Sequence, residues 1–332
     1  MKPQFSPIAM RVAESRYLLR NEQGEVQETP EEMLKRVAKA VAQAESEFGA
    51  PAQVESWREK FEQVLLKLDF LPNSPTLMNA GTPEGQLSAC FVLPIEDSLS
   101  SIFDTLKLTA MVQQSGGGTG FSFSHLRPKG EKVSSRSGTA SGPVSFMKIF
   151  DCTTENIKQG GKRRGANMGI LRVDHPDILE FIHAKRDGGF TNFNLSVAVT
   201  DAFMKAVGEK AHFPLQNPFT HKIVKELPAF DLFQEIVKGA WETGDPGLIF
   251  IDSIERGNPT PEIGSIEATN PCGEVPLLPY EACNLGSINL SHMVSQTSRP
   301  EIRWDKLKKT IQIAMRFLDN VIEVNTFPDD SI

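Results

Sequence analysis

The sequence has few of the residues that mark a metal centre, a membrane protein or a secreted protein. Its 332 residues include only four cysteines and six histidines. No pair of cysteines has the CxxC spacing of zinc ribbons and thioredoxin-like proteins, and the histidines form no HExxH or comparable ligand spacing. No stretch approaches the roughly 18 to 20 apolar residues that a transmembrane helix needs. The first residues also include no apolar signal-peptide core.

The charge excludes another class of partner. A formal net charge of −7 and a pI near 5.5 argue against a surface that coats nucleic acid. The hydrophobic content of 39% and the charged content of 23% are ordinary for a globular protein. We therefore expect a cytoplasmic protein with no metal held by its own side chains, no membrane contact and no nucleic-acid partner. In a reducing compartment, well-separated cysteines are usually inert core residues or catalytic ones.

The first 70 residues predict a helical region. Thr29-Pro30-Glu31-Glu32 combines an N-cap, a proline in the first turn and a glutamate at the third position, which is a capping box. Apolar residues then recur at helical spacing to about residue 48, and a second amphipathic pattern follows Pro51. We expect residues 1–70 to form a small helical packing domain.

From residue 71 onward, predicted strands and helices alternate, which is typical of an α/β fold. Strands are expected over 88–94, 121–123, 168–173 and 194–199, and helices over 99–114, 143–158, 174–185, 228–243 and 304–324. Asp174 is the predicted cap of its helix, and Cys152 is expected to pack in the core.

Two segments suggest a phosphate-bearing ligand. Four of the six residues in Ser115–Gly120 are glycines, and glycine-rich backbone can bind phosphate through its N–H groups. The segment is neither a Walker A loop nor a Rossmann fingerprint. Lys162, Arg163 and Arg164 lie among glycines and suit a loop that contacts phosphate. A solvated surface loop remains the alternative interpretation of this cationic run.

The most informative stretch is Asn270-Pro271-Cys272-Gly273-Glu274, which we call the finger loop. Pro271 fixes its own φ and Gly273 permits a tight reversal, so the pattern predicts that Cys272 lies at a loop tip. An amide and a carboxylate flank this thiol. A proline-rich turn with a buried structural cysteine is the alternative.

Two further cysteines begin or precede predicted strands. Cys90 starts one strand, and Cys283 comes eleven residues after Cys272, just before a second. Cysteines on neighbouring strands can meet the Cα spacing of about 5.5–6 Å that a disulfide requires. A dithiol, a separate thiol and a carboxylate base together indicate a reducing site.

These motifs resemble the catalytic chain of ribonucleotide reductases, and the form is nearest to the adenosylcobalamin-dependent class II enzymes. The resemblance rests on the finger loop, on Cys283–Asn289 and on Ser88-Ala89-Cys90. It extends from about residue 15 to the end. The further segments that share it are Leu71–Gly81, Gly116–Gly120, Lys162–Asn167 and Trp241–Gly247.

The resemblance implies catalytic roles for five residues. Cys272 would carry a transient thiyl radical that abstracts the substrate's 3′-hydrogen. Glu274 would act as the base toward the 3′-hydroxyl, and Asn270 would hydrogen-bond the substrate. Cys90 and Cys283 would form the dithiol that becomes a disulfide as the 2′-hydroxyl leaves as water.

The resemblance also implies two binding sites. The substrate nucleotide would be held by Ser74, Ala89, Cys90, Gly118, Asn270 and Glu274. A deoxynucleoside triphosphate effector would be held by Asp97, Ser98, Arg127, Gly161, Lys162 and Arg163. The loop Gly160–Met168 would relay the identity of the effector to the choice of substrate base.

The expected fold is the first half of a ten-stranded α/β barrel with the finger loop, over residues 71–332, after the helical domain. The second half-barrel and the family's C-terminal cysteine pair are missing from this sequence. We therefore expect a split or truncated enzyme that needs a complementing C-terminal polypeptide. The implied activity is reduction of ribonucleoside diphosphates for DNA synthesis, with adenosylcobalamin as cofactor and a thioredoxin-type reductant. Homodimer formation is left open.

Two other hypotheses stay open at this point. The chain could be a class I large subunit, which takes its radical from a partner protein, although the eleven-residue spacing from Cys272 to Cys283 favours class II. It could also be a non-catalytic fragment that senses nucleotides through the effector site.

Overall fold

The structure is a computed structural model that describes residues 3–132, 138–157 and 164–332. The α-helices are α1 (Pro7–Arg16), α2 (Pro30–Ala42), α3 (Ala44–Glu47), α4 (Val54–Leu66), α5 (Ser74–Asn79), α6 (Leu99–Gln114), α7 (Pro143–Asn156), α8 (Ile178–Ile182), α9 (Asp201–Glu209), α10 (Ala229–Thr243), α11 (Ile251–Arg256) and α12 (Trp304–Val324). The strands are β1 (Phe70–Pro72), β2 (Cys90–Val92), β3 (Gly118–Ser122), β4 (Asn167–Arg172), β5 (Phe193–Val199), β6 (His212–Gln216), β7 (Ile223–Pro228), β8 (Gly247–Phe250), β9 (Ala268–Thr269), β10 (Pro276–Leu277), β11 (Ala282–Cys283) and β12 (Gly286–Ile288). No helix among these is long and apolar enough to cross a membrane.

The described residues form two compact units. The helical unit contains residues 3–89 and 283–330, and the sheet unit contains residues 90–157, 164–282 and 331–332. The order of a helical N-terminal region followed by an α/β region confirms the predicted fold class. The predicted domain boundary at residue 70 remains our proposal.

The helical unit is built around amphipathic helices that pack through one face. In α2, the Thr29 hydroxyl accepts a hydrogen bond from the Glu32 N–H at 3.3 Å, and the Glu32 carboxylate accepts one from the Thr29 N–H at 2.7 Å. This capping box satisfies two N–H groups that would otherwise lack partners at the helix start. The buried face of α2 packs against α4 and α12, and Phe61 and Phe317 meet edge to face at 5.1 Å.

The sheet unit has five parallel strands in the order β2-β3-β4-β5-β8. The segment that leads into β11 continues the sheet beyond β2, because the Tyr280 N–H donates to the Val92 carbonyl and the Val92 N–H donates to the Glu281 carbonyl. Parallel strands need crossover connections, and helices α6, α7, α8 and α9–α10 lie in the four connections between these strands.

Side chains alternate between the two faces of this sheet, as the period of a strand requires. One face carries a large aromatic core beneath the helices, which includes Phe121, Phe123, Phe150, Phe181 and Phe193. The other face carries a smaller apolar cluster with shorter side chains, which includes Val92, Met168, Ile170, Ala198 and Ala268. Because Ala268 begins the chain segment that leads into the finger loop, this second face positions the candidate site.

Three details of the sequence-based prediction are wrong. Gly118–Gly120 lies in β3 rather than in a loop before a strand. The helix predicted from Asp174 begins at Ile178, because Pro176 disfavours helical backbone at the residue before it. Cys152 is exposed on α7 instead of buried in the core.

Candidate active site

The finger loop lies against β3 at two glycines. A Cβ atom on Gly120 would be 1.7 Å from the Thr269 carbonyl oxygen, and one on Gly118 would be 2.7 Å from Cγ of Pro271. Real Cβ atoms do not approach other atoms this closely, so only glycine permits this packing. The glycines therefore serve a close approach between two backbone segments in this structure.

The finger loop closes on the backbone and side chain of Asn270. The Gly273 N–H donates to the Asn270 carbonyl at 3.0 Å, and the Val275 N–H donates to Asn270 Oδ1, also at 3.0 Å. Gly273 has a φ of 83°, in the left-handed region that glycine adopts without strain. Asn270 itself is fully buried. The predicted tight reversal is thus present, with a buried amide at its centre.

Strands β4 and β5 hold the loop from neighbouring positions. Asn194 on β5 donates from Nδ2 to the Pro271 carbonyl at 2.6 Å. On β4, Met168 Cε lies 3.7 Å from the Cβ position of Gly273. Together with the β3 contacts, these interactions fix the base of the finger loop across three strands.

Cys90 lies at the same place in the sheet. It is the first residue of β2, it is buried, and its register partner on β3 is Gly118. The Asn270 side chain connects the two segments, because its Nδ2 donates to Cys90 Sγ at 3.4 Å. The structure therefore brings together Cys90, Gly118 and Asn270, which the sequence analysis assigned to one site.

Cys272 and Glu274 differ from Asn270 in their exposure. Both side chains are exposed at the loop tip, two residues apart. The alternative of a buried structural cysteine at position 272 is therefore wrong. A solvent-accessible thiol beside a carboxylate can react with a group that arrives from outside the sheet, whereas the buried Cys90 thiol is held by the protein's own amide.

The helical unit contains three of the predicted site residues. The Ala89 N–H donates to the Cys283 carbonyl at 2.8 Å. Ser74 begins α5, and its hydroxyl lies 3.0 Å from the Tyr17 hydroxyl. The Asn73 side chain caps α5 by accepting from the Thr76 N–H at 2.9 Å. Since Cys90 follows Ala89 directly, the chain passes from this pairing into β2.

Three of the predicted effector residues form a second cluster in the sheet unit. Asp97 accepts from the Arg127 backbone N–H at 3.0 Å and from Arg127 Nε at 2.6 Å. Ser98 caps α6 by accepting from the Ser101 N–H at 3.1 Å. The Arg127 guanidinium also lies 5.8 Å from the centre of the Phe219 ring. Gly161, Lys162 and Arg163 lie outside the described residues.

A cavity of about 370 Å³ lies near this cluster, and Phe219 and the histidines His125, His175 and His221 line it. His125 contacts Glu267 at 2.9 Å and Glu96 at 3.3 Å, and the hydrogen bond with Glu267 raises the pKa of His125 to about 9. His175 is buried, and burial lowers its pKa.

The neutral form of His175 fits its contacts. Its Nδ1 accepts from the Asp177 N–H at 3.0 Å, so Nε2 carries the proton that it donates to the Leu126 carbonyl at 2.9 Å.

Two residues that contact the finger loop or the residue before it, Gly120 and Asn194, were not among the predicted site residues. Gly120 was visible within the glycine run, and a glycine inside a strand is a known sign of close backbone approach. Asn194 gave no such signal, because an asparagine at the start of a predicted strand has many ordinary explanations.

Known proteins resemble both parts of the chain. Residues 3–85 match the family model described as the ribonucleotide reductase all-alpha domain, and residues 88–332 match the one described as the ribonucleotide reductase barrel domain. A vitamin B12-dependent ribonucleoside-diphosphate reductase from Mycobacterium tuberculosis (strain CDC 1551 / Oshkosh) is 52% identical over 98% of this chain and 47% of its own length.

More distant relatives point the same way. A protein of the same name from Thermoplasma acidophilum is 48% identical over 98% of this chain and 49% of its own length. A ribonucleoside-diphosphate reductase large chain from Neurospora crassa is 30% identical over 98% of this chain and 37% of its own length. The chain thus spans half or less of the length of each of these relatives. On the match of both family models, the chain belongs to the ribonucleotide reductase family.

Proposed function

We propose that this chain carries the first half of the active site of an adenosylcobalamin-dependent ribonucleoside-diphosphate reductase. The observation that carries the proposal is the position of Asn270. Its amide meets the buried Cys90 thiol at 3.4 Å, and the exposed Cys272 follows two residues later. One short loop thus contacts a buried thiol through Asn270 and presents an exposed thiol at Cys272. The proposed reaction requires two such thiols, one to carry a radical and one to take part in a two-electron reduction.

The proposed reaction begins at the loop tip. A thiyl radical on Cys272 takes the hydrogen atom from C3′ of the ribonucleotide, while Glu274 accepts the proton of the 3′-hydroxyl. The C2′–O bond then breaks and the oxygen leaves as water. Asn270 orients the substrate through its amide, which the finger loop holds at a fixed position.

Two thiols supply the electrons in this proposal. Cys90 and Cys283 together give two electrons and two protons, of which one proton leaves with the water and one is added at C2′, and they become a disulfide. Glu274 returns its proton to the 3′-oxygen, and Cys272 returns the hydrogen atom to C3′. The Ala89 N–H bond to the Cys283 carbonyl supports this pairing, because it ties the chain just before Cys90 to Cys283 within the helical unit. A thioredoxin-type reductant would restore the dithiol by thiol–disulfide exchange.

Binding roles complete the proposal. Ser74, the Ala89 backbone and Gly118 would help to hold the substrate nucleotide. Asp97, Ser98 and Arg127, with Gly161, Lys162 and Arg163, would bind a deoxynucleoside triphosphate that sets substrate preference. A homodimer is compatible with such regulation. We place the enzyme in the cytoplasm, where reducing conditions favour the dithiol form.

The exposure of Cys272 fits a radical source of the size of adenosylcobalamin, because such a group must reach the thiol from outside the sheet. When bound, adenosylcobalamin supplies the radical that converts the Cys272 thiol to a thiyl. The names and identities of the relatives support this cofactor over a class I partner protein. The B12-dependent relatives from M. tuberculosis and T. acidophilum named above are 52% and 48% identical to this chain, whereas the Neurospora large chain is 30% identical.

The proposal is tested by measuring conversion of CDP and CTP to deoxynucleotides with adenosylcobalamin and dithiothreitol. One reaction contains this chain alone, and a second adds a polypeptide that corresponds to the C-terminal half of the M. tuberculosis relative. We expect product in the second reaction and faster turnover of CDP than of CTP. Omitting adenosylcobalamin is the control and should remove the product.

Other results would contradict the proposal. Turnover that needs no cobalamin but needs an added radical-generating subunit would indicate a class I large chain. Absence of product in both reactions, with tight binding of a deoxynucleoside triphosphate, would indicate a fragment that only senses nucleotides.

A further inference from the structure

A buried polar network connects four elements of the sheet unit. Its members are Gln113 in the last turn of α6, Thr119 on β3, Thr154 on α7 and Asn167 at the start of β4, and none is more than 4% exposed. Buried polar groups are costly unless they are hydrogen-bonded, so a network in this position fixes its surroundings when it is complete.

Almost every group in the network has a partner. Asn167 Oδ1 accepts from Gln113 Nε2 at 2.9 Å and from the Thr119 hydroxyl at 2.7 Å. Asn167 Nδ2 donates to the Thr154 hydroxyl at 2.8 Å. These contacts also fix the orientation of the Gln113 amide, because the reverse orientation would place its oxygen against Asn167 Oδ1.

The exception is Gln113 Oε1, which is buried and has no hydrogen-bond partner among the described residues. A Cβ atom on Gly165 would lie 2.8 Å from this oxygen, so the oxygen faces the Gly165 backbone. Gly165 and Ala166 form the stem of the cationic segment and lead directly into Asn167 on β4. A buried acceptor without a partner calls for a physical explanation, and a second arrangement of this stem would provide one.

The network borders one candidate site and is connected to the other by a helix. Thr119 lies between Gly118 and Gly120, the glycines on which the finger loop packs. Gln113 lies at the opposite end of α6 from its cap Ser98. Helix α6 thus runs from the cluster of Asp97 and Ser98 to β3, the strand against which the finger loop packs.

We propose that Gln113 is a specificity-determining positioning residue whose Oε1 accepts a backbone N–H of Gly165 or Ala166 when an effector nucleotide is bound. Filling this acceptor would fix Asn167, and through it Thr119, in one arrangement beside the substrate site. This inference rests on the proposed function, since it assigns to Gln113 the link between the effector cluster and substrate choice.

Hydrogen exchange of the amides of residues 164–168 tests the inference on this chain without any turnover. The wild type, Gln113→Met and Gln114→Met are compared with and without dTTP or dATP. Gln114 is the matched control, because it is the same residue type at the next position of α6 but is exposed. We expect either nucleotide to slow exchange in this stem about tenfold in the wild type and in Gln114→Met, but not in Gln113→Met.

Unchanged exchange in the wild type, or equal slowing in Gln113→Met, would overturn the inference. If Gln113→Met does not fold, Gly165→Ala replaces it. This variant keeps the Gln113 side chain but introduces a methyl group 2.8 Å from both Gln113 Oε1 and Thr154 Cγ2, so it blocks the approach of the stem to Oε1. It should also lose the slowing, and slowing of wild-type size in Gly165→Ala would contradict the inference.

A second readout uses the enzyme completed by its C-terminal half. The ratio of CDP to ADP reduction is measured with dATP and with dTTP. We expect Gln113→Met to reduce the effector-dependent change in this ratio about tenfold, while Gln114→Met leaves it unchanged. If the wild type reduces no ribonucleotide, the proposed function fails, and the exchange experiment still decides separately whether Gln113 responds to the nucleotide. A Gln113→Met enzyme with a wild-type ratio change would overturn the role in specificity.

Discussion

The base and the tip of the finger loop differ in almost every physical respect. At the base, Asn270 is fully buried, and its side chain bonds both to Cys90 Sγ and to the Val275 N–H. At the tip, Cys272 and Glu274 are exposed. Only Pro271 separates Asn270 from Cys272, so the change from a buried to an exposed side chain occurs within a single turn.

This difference separates positioning from reaction. The base is fixed by contacts with β3, β4 and β5, and such contacts contribute to folding as well as to geometry. The tip contributes little to folding and is available for chemistry. The comparison therefore predicts that tip substitutions abolish activity at constant stability, whereas base substitutions reduce both.

The largest effect on activity is expected for Cys272→Ser. A hydroxyl cannot replace the thiol as the radical carrier, so the completed enzyme should form no detectable deoxynucleotide. Because Cys272 is exposed, the free energy of unfolding should change by less than about 0.5 kcal/mol. Cys152→Ser is the matched control, since Cys152 is also an exposed cysteine in the sheet unit but lies on α7.

Deoxynucleotide production is followed by chromatography, and stability is followed by urea unfolding. Wild-type turnover in Cys272→Ser would remove this residue from the mechanism. A large loss of stability in the same variant would show that the tip is structural, and the comparison with the base would then fail.

Gly120→Ala should have the largest effect on stability. The added Cβ would lie 1.7 Å from the Thr269 carbonyl oxygen, which is backbone and cannot rotate away. We expect a loss of about 2 kcal/mol or more, together with loss of activity because the finger loop must move. Gly208→Ala is the control, because a Cβ at that position in α9 meets nothing within 4 Å. A Gly120→Ala protein as stable as wild type would mean that the loop does not lie on β3.

A direct comparison of base and tip uses Asn270→Ala and Glu274→Gln. Removing the Asn270 side chain leaves the Val275 N–H without its acceptor and should cost about 1 to 3 kcal/mol in the free energy of unfolding. Glu274→Gln should leave stability within about 0.5 kcal/mol but slow turnover about 100-fold, as loss of a general base does. Equal stability changes in the two variants would refute the distinction.

The same distinction explains how much the sequence could predict. The capping box of α2 and the loop tip at Cys272 depend on residues close in sequence, and both were predicted correctly. The packing of the finger loop against β3 was not predictable in the same way, because the contact of Gly120 with Thr269 joins residues far apart in the chain. The apolar neighbours of Cys152 predict a core position, but the face of α7 that it occupies is exposed.

The histidines His175 and His125 of the sheet unit also differ in burial, and their pKa values are shifted in opposite directions. His175 is buried and neutral, and its pKa is lowered by burial. The unfolded chain, with a histidine pKa of about 6.5, binds a proton more readily than the folded protein does. The stability associated with His175 is therefore present above about pH 6.5 and is lost as the pH falls through the folded pKa, with a slope of at most about 1.4 kcal/mol per pH unit.

Urea unfolding between pH 5 and 8 measures this loss. His175→Gln is the informative variant, since glutamine offers a donor and an acceptor but does not titrate in this range. The difference in stability between wild type and variant should shrink as the pH falls below 6.5. A difference that does not depend on pH would show that folding does not shift the pKa of His175 and would contradict the assignment.

The smallest effect is expected for His125, whose side chain is 41% exposed and whose pKa is raised to about 9 by its hydrogen bond with Glu267. In this case the folded protein holds the proton more tightly than the unfolded chain. The stability from the pairs with Glu267 and Glu96 is therefore complete below about pH 6.5 and is lost as the pH rises through about 9. Solvent screens such a pair, so the contribution should be small and should decrease in 1 M salt.

His125→Gln should remove this alkaline loss and leave the acid loss caused by His175 in place. The measurement is urea unfolding from pH 5 to 10 at low and high salt, and an alkaline loss in the variant as steep as that of wild type would contradict the assignment. If the pH dependence of stability caused by His125 instead had the same size and sign as that caused by His175, burial would not be what distinguishes the two histidines.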